Sequence, residues 1–157
     1  MSYEIRSILY ASDLTPRSPA VFLHAVGLAK KFNAKLHAVT VTLPSTSLPY
    51  EEFISEEKMD EIKLAGHKKA EALLRKRIEV FAETHPELDV NSVLASVRAL
   101  EGEPSRRILD VAKHVLADVI VMGSRGHSTL GELLLGSVAH KVTMKADIPV
   151  MLVPIDR

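Results

Sequence analysis

Asp118-Val-Ile-Val-Met-Gly-Ser-Arg-Gly-His-Ser-Thr-Leu-Gly-Glu-Leu-Leu-Leu-Gly-Ser137 decides how this chain is read. After Asp118 it runs apolar without alternation from Val119 to Met122 and is rich in β-branched side chains, which suits a parallel strand, 118–122, covered by helices on both faces. Gly123 and Gly126 follow at once, with Gly131 and Gly136 further on. A loop of this kind brings backbone close to a ligand and aims several N–H groups at one point. From Ser137 to Lys145 the composition is helix-forming, and the start of a helix offers free N–H groups and the positive end of the dipole to an anion. Taken singly, these residues also read as a tight turn, an N-cap at Ser137 and a solvated charge at Arg125. Together they read as a phosphate cradle. The spacing from Gly131 to Gly136-Ser137 is that of a P-loop, but the lysine between glycine and hydroxyl is missing, and no G-x-G-x-x-G occurs. Neither a Walker-type NTPase nor a dinucleotide-dependent dehydrogenase is supported.

Outward from this stretch, strands and helices alternate. A strand is expected near 6–12, then a helix capped by Thr15 with Pro16 at its first position and Phe22, Ala25, Val26, Ala29 and Phe32 facing inward. A second strand near 35–42 meets the prolines at 44 and 49. A long helix follows near 55–84, with Ile62, Ala65, Leu73, Leu74, Ile78 and Phe81 as apolar positions and its many charges forming a solvated face. Pro86 ends it, a third strand is expected near 90–97, and Gly102 and Pro104 introduce a helix to about 116 with Ile108, Val111, Ala112 and Val115 inward. The strand at 118–122, a helix near 137–146 and a strand near 149–153 complete a β-α-β-α-β-α-β-α-β order. Such alternation predicts an α/β fold, a doubly wound parallel sheet with helices on both faces.

At 157 residues the chain fits one domain, 1–157, with 46% hydrophobic and 25% charged residues, so disordered and collagen-like classes are disfavoured. Lys+Arg and Asp+Glu are each 20, so no global field attracts nucleic acid or an anionic membrane. With zero cysteines there is no disulfide, thiolate metal site or catalytic thiol. The seven histidines show no H-x3-H spacing, so no built-in metal site is expected. The first eight residues lack a basic segment followed by a long apolar run, and no stretch of about 18 apolar residues occurs, so a cytoplasmic protein without membrane insertion is expected.

Gly123-x2-Gly126-x9-Gly136-Ser137, followed by a helix and Ile148-Pro-Val-Met-Leu-Val153, closely resembles the nucleotide-binding branch of the universal stress protein (UspA) family. The resemblance extends to the strand ending in Asp13, the strand from Leu36 to Val41 before Pro44, and Glu101-Gly-Glu-Pro104. It implies a Rossmann-like, adenine nucleotide alpha hydrolase-like sheet of five parallel strands in the order 3-2-1-4-5. In that order the first and fourth strands adjoin where the winding reverses, and ligands of open α/β sheets bind outside the carboxyl ends of strands at such a point. Ser12-Asp13 and Gly123 would then face one crevice.

The resemblance implies ATP as ligand, with Asp13 in the adenosine pocket and main chain of Val41 against adenine. It implies Gly123, Gly126, Gly136, Ser137 and Val138 at phosphates or ribose, with Arg125 a weaker candidate. Asp13 read alone equally organises a turn with Thr15. Mg²⁺ or Mn²⁺ is expected only through the phosphates, with no protein metal site and no catalytic residue. The resemblance also implies a homodimer through the strand at 149–153, whose apolar edge would otherwise invite uncontrolled pairing.

The expected activity is ATP binding by a nucleotide-responsive regulator or adaptor of the stress response, with an unidentified protein partner. Two alternatives stand beside it: a slow ATPase or self-phosphorylating protein, and a nucleotide-free interaction module. Efficient phosphoryl transfer is disfavoured because no P-loop lysine and no kinase Asp/Asn signature is present.

Overall fold

The structure, a computed structural model, describes residues 3–16, 18–43, 55–124 and 135–154. Five strands form one sheet: β1 (Ser7–Ser12), β2 (Lys35–Thr42), β3 (Leu94–Glu101), β4 (Val119–Gly123) and β5 (Val150–Val153). Every pairing is parallel, and the order is β3-β2-β1-β4-β5, the one the resemblance implies. The connections carry α1 (Ser18–Phe32), α2 (Glu56–Thr84), α3 (Pro104–His114) and α4 (Ser137–Lys145).

Alternation along β1 sorts the core into two layers. Ile8 and Tyr10 join Leu36, Ala38 and Val121 beneath α1 and α2, whereas Leu9 and Ala11 join Val39, Ile120 and Met122 beneath α3 and α4. All six residues of β1 are buried, as the central strand of a doubly covered sheet must be. In the α1–α2 layer, Tyr10 meets Phe22 with ring centroids 5.0 Å apart, Phe22 meets Phe81 edge-on at 4.9 Å, and Phe81 stacks on His85 at 4.2 Å.

Asp118 ties the amino ends of β1 and β4 together. Its carboxylate accepts the N–H of Arg6 at 2.8 Å and of Ser7 at 3.0 Å, while its own N–H donates to the Ser7 carbonyl at 2.8 Å. Two consecutive amides at the entry to β1 are satisfied by one side chain.

Several expectations need correction. Helix α1 starts at Ser18, not at Pro16, because Thr15 spends its N–H and hydroxyl on Asp13 and its carbonyl on a turn to the Ser18 N–H at 3.1 Å. Phe32 is 39% exposed, since α1 ends there in a Schellman turn with Asn33 at φ 53°, and Val21 takes the inward place. On α2, Ala65 and Leu73 are exposed; Ala70, Leu74, Ile78 and Phe81 form the buried stripe, and the Ile62 side chain lies outside the described ones. Strand β3 begins at Leu94 rather than Val90. Asp89 adopts a left-handed φ of 46° and Val90–Ser92 form a 3-10 turn, so buried Val90 plugs the layer instead of pairing.

Gly102, just past β3, has φ 142°, where side chains are strained, and a Cβ there would stand 2.9 Å from Arg107 Nε. Its N–H donates to the Thr42 carbonyl at 3.0 Å. Gly102→Ala is expected to cost about 1–3 kcal/mol, read as a lower urea midpoint with an unchanged slope.

Candidate functional site

The carboxyl ends of β1, β2 and β4 open on the same side of the sheet. Ala11 is paired with Met122, so Ser12 and Gly123 are the next residues on adjoining strands, and Ser12 itself is paired with Thr40 of β2. Half-buried Val41 follows Thr40. The switch point of the sheet therefore lies between Ser12-Asp13 and Gly123, with Val41 one strand away.

Past β1 the chain turns sharply. Leu14 holds φ 60°, and the turn is fixed by side chains: Ser12 Oγ accepts the Leu14 N–H at 3.1 Å, and Asp13 Oδ1 accepts the Thr15 N–H at 2.9 Å and the Thr15 hydroxyl at 2.8 Å. Left-handed leucine is sparsely populated and persists only where its surroundings hold it. Both readings of Asp13 thus concern different oxygens: Oδ1 organises the turn, while among the described residues Oδ2 has no hydrogen-bond partner. A free carboxylate oxygen can accept from a hydroxyl or an amino group.

At β4 the chain leaves through Ser124, whose N–H donates to the Val153 carbonyl at 3.0 Å, and returns at Gly136, whose N–H donates to the Ser124 carbonyl at 2.8 Å. Gly123 and Gly136-Ser137, thirteen positions apart in the chain, are thereby brought together. Arg125 and Gly126 lie outside the described residues.

Helix α4 opens without a side-chain cap. Gly136 occupies the cap position at φ −58° and ψ 150°, and its carbonyl accepts the His140 N–H at 2.8 Å, so the preceding N–H groups, those of Ser137, Val138 and Ala139, precede the first intrahelical bond. Gly136 is buried, Ser137 is exposed, and Val138 packs on the α3–α4 core layer.

The neighbouring α3 has the opposite arrangement. Glu103 caps it, accepting the Ser105 N–H at 3.3 Å, the Arg106 N–H at 2.9 Å and the Ser105 hydroxyl at 2.7 Å. Lys141 Nζ of α4 stands 3.8 Å from the Glu103 carboxylate. The hydrogen bond from Ser105, with those from the Arg106 and Ser105 N–H groups and the charge of Lys141, holds the Glu103 carboxyl below its ordinary value of 4.5, against a smaller opposing push from burial. One helix start is thus filled by a carboxylate, and the other has no side-chain cap among the described residues.

A depressed carboxyl stabilises the fold above its unfolded-state value, and that contribution is lost as pH falls through the lower folded-state value. Glu103→Gln should therefore lie below the wild type in urea midpoint at neutral pH, and the gap should close below the ordinary value of 4.5.

Two polar residues were missed in reading the sequence. Glu103, directly before Pro104, carried a helix-start signal that pointed to its capping role. Arg77 carried none: taken as part of a solvated face, it instead donates to the Thr15 carbonyl at 2.6 Å.

The Universal stress protein family model matches residues 4–154. The universal stress protein YxiE of Bacillus subtilis is 35% identical over 153 residues, spanning 93% of this chain and 97% of that protein. Universal stress protein UspA from Lactobacillus plantarum superposes with a TM-score of 0.74 at 25% identity, over 99% of this chain and 100% of that one. A universal stress protein solved in complex with cAMP superposes with a TM-score of 0.65 at 22% identity, over 97% of this chain and 98% of its own, a likeness of fold. A parallel sheet of order β3-β2-β1-β4-β5, a glycine-bounded loop at its switch point and a family model matched across residues 4–154 agree: the chain belongs to the universal stress protein family.

Proposed function

We propose that this protein binds ATP in the crevice outside the carboxyl ends of β1 and β4 and acts as a nucleotide-responsive regulator in the stress response. The observation that carries the reading is the uncapped start of α4, held next to the end of β4 by the Gly136 N–H to Ser124 carbonyl bond, on the strand that adjoins β1 just before Asp13. The donor chemistry fits the ligand. Main-chain N–H groups at Ser137 and Val138, with the Ser137 hydroxyl, suit phosphate oxygens beside Gly136, and Gly123, Arg125 and Gly126 complete the cradle. Ser12 and the Asp13 carboxylate suit the nucleoside, and the main chain of Val41 suits adenine. A Mg²⁺ or Mn²⁺ ion would accompany the nucleotide through its phosphates. The complex of a family member with cAMP supports an adenine nucleotide as the class.

In the same reading residues 1–157 are one domain, the protein is cytoplasmic, and two copies pair through β5. That strand is bonded to β4 alone in the sheet and exposes Met151 to 36%. ATP would shift conformation or assembly by its greater affinity for one state, to the advantage of a protein partner. No helix among the described residues is long and apolar enough to cross a membrane.

Native mass spectrometry of freshly purified protein, followed by an ATP titration read by calorimetry, tests the proposal. Co-purified nucleotide or micromolar affinity is the expected result. Failure to bind ATP, ADP, AMP or cAMP would overturn it and favour the interaction-module reading.

A further inference from the structure

The turn that presents Asp13 is not held by its own segment alone. Arg77, on the far larger helix α2, sends Nη1 to the Thr15 carbonyl at 2.6 Å and to Ser18 Oγ at 3.5 Å. The same carbonyl accepts the Ser18 N–H at 3.1 Å, and the buried Tyr10 hydroxyl donates to the Ser18 carbonyl at 3.3 Å. Thr15 in turn donates twice to Asp13 Oδ1. The guanidinium and the carboxylate therefore hold the same residue, one at its carbonyl and the other at its N–H and hydroxyl.

The arginine is well placed for this. Leu74, Ile78 and Phe81 bury the same side of α2 against the core, so the half-buried Arg77 stem leaves a helix surface that is itself fixed. Lys76 stands at the surface 3.9 Å from Glu79, and Arg75, 3.8 Å from Glu71, sends a longer bond of 3.4 Å to the Val97 carbonyl of β3. Arg77 reaches across 62 positions of sequence to a carbonyl beside left-handed Leu14. A charged donor on that carbonyl strengthens the turn that carries Asp13.

We propose that Arg77 is a positioning residue for the nucleotide site: it locks the Leu14–Ser18 turn so that Asp13 Oδ2 stays aimed at the ligand. The function rests on the nucleotide reading of Asp13; the positioning does not. Without Arg77, Leu14 is freer to leave its left-handed conformation, and the carboxylate loses its fixed direction.

Hydrogen exchange on ligand-free protein separates the two. Arg77→Met should accelerate exchange of the Thr15 and Ser18 amides about tenfold or more, with β2 and β4 amides unchanged. Unchanged exchange at Thr15 and Ser18, or equal acceleration throughout the sheet, would overturn the positioning role whether or not any nucleotide binds. With ATP, Arg77→Met should weaken affinity about tenfold. Arg77→Lys should recover part of this, since an ammonium keeps a charged donor for the Thr15 carbonyl on a differently shaped and more flexible stem. In an Asp13→Asn background, Arg77→Met should change affinity less than about twofold, because both act through one carboxylate. Fully additive losses would overturn the link between Arg77 and Asp13. Absence of ATP binding by the wild type would overturn the proposed function and leave the exchange result to decide Arg77.

Discussion

Phe22→Ala is expected to lower the unfolding free energy by about 3–5 kcal/mol, the range for removing a large aromatic from a packed core. Phe22 is 3% exposed and sits between two rings, Tyr10 of β1 at 5.0 Å and Phe81 of α2 at 4.9 Å. Truncation removes both aromatic contacts as well as the buried area, and the surrounding strand and two helices cannot all close on the void. A domain of this size is stable by about 5–15 kcal/mol, so the variant should remain folded at low temperature but lose much of its margin. Phe22→Leu, which refills part of the volume, should cost clearly less. Equilibrium urea unfolding gives the comparison. A loss under about 1 kcal/mol for the alanine variant would mean that α2 does not pack on Phe22 as described.

Asp13→Asn should weaken ATP binding by about ten- to a hundredfold while leaving the urea midpoint close to wild type. The separation follows from the two oxygens. An asparagine carbonyl can replace Oδ1 as acceptor for the Thr15 N–H and hydroxyl, so the turn survives. The amide nitrogen then stands where Oδ2 stood and presents donors to a ligand group that also donates. Asp13→Ala, by contrast, removes both functions and should lower stability as well. Calorimetry of the two variants beside the wild type decides the matter. Wild-type affinity in Asp13→Asn would confine the residue to its structural role at Oδ1.

What could be read from the sequence depended on the range of the interaction. Strand β4, helix α4 and the buried residues Ile108, Val111 and Ala112 of α3 were legible because their periodicity and punctuation are local. The meeting of Ser12-Asp13 with Gly123 required a strand order, which alternation alone does not fix and the glycine pattern's resemblance supplied. Periodicity also overreached. It assigned Phe32 and Leu73 to the core because an apolar stripe carries no record of where the sheet beneath it ends. It read Val90 as strand because a buried valine in a 3-10 turn and one in a strand look alike in composition. Thr15 has the composition of a helix cap, yet Asp13 two residues earlier takes its hydroxyl. Arg77 was illegible altogether: a cation among cations on a long helix, its partner carbonyl is fixed only once α2 lies across the end of β1.

The hydrogen bond from Gly136 to Ser124 also bears on how this site tolerates change. It clasps Ser124 to Gly136, so the end of β4 and the start of α4 keep their spacing by a contact outside the residues between them. Closing a longer loop across a fixed gap adds only about 0.6 kcal/mol for each doubling of its length. The clasp therefore separates the spacing of β4 and α4 from the length of the chain between them: insertions there are inexpensive to the fold and leave the frame around the proposed site in place.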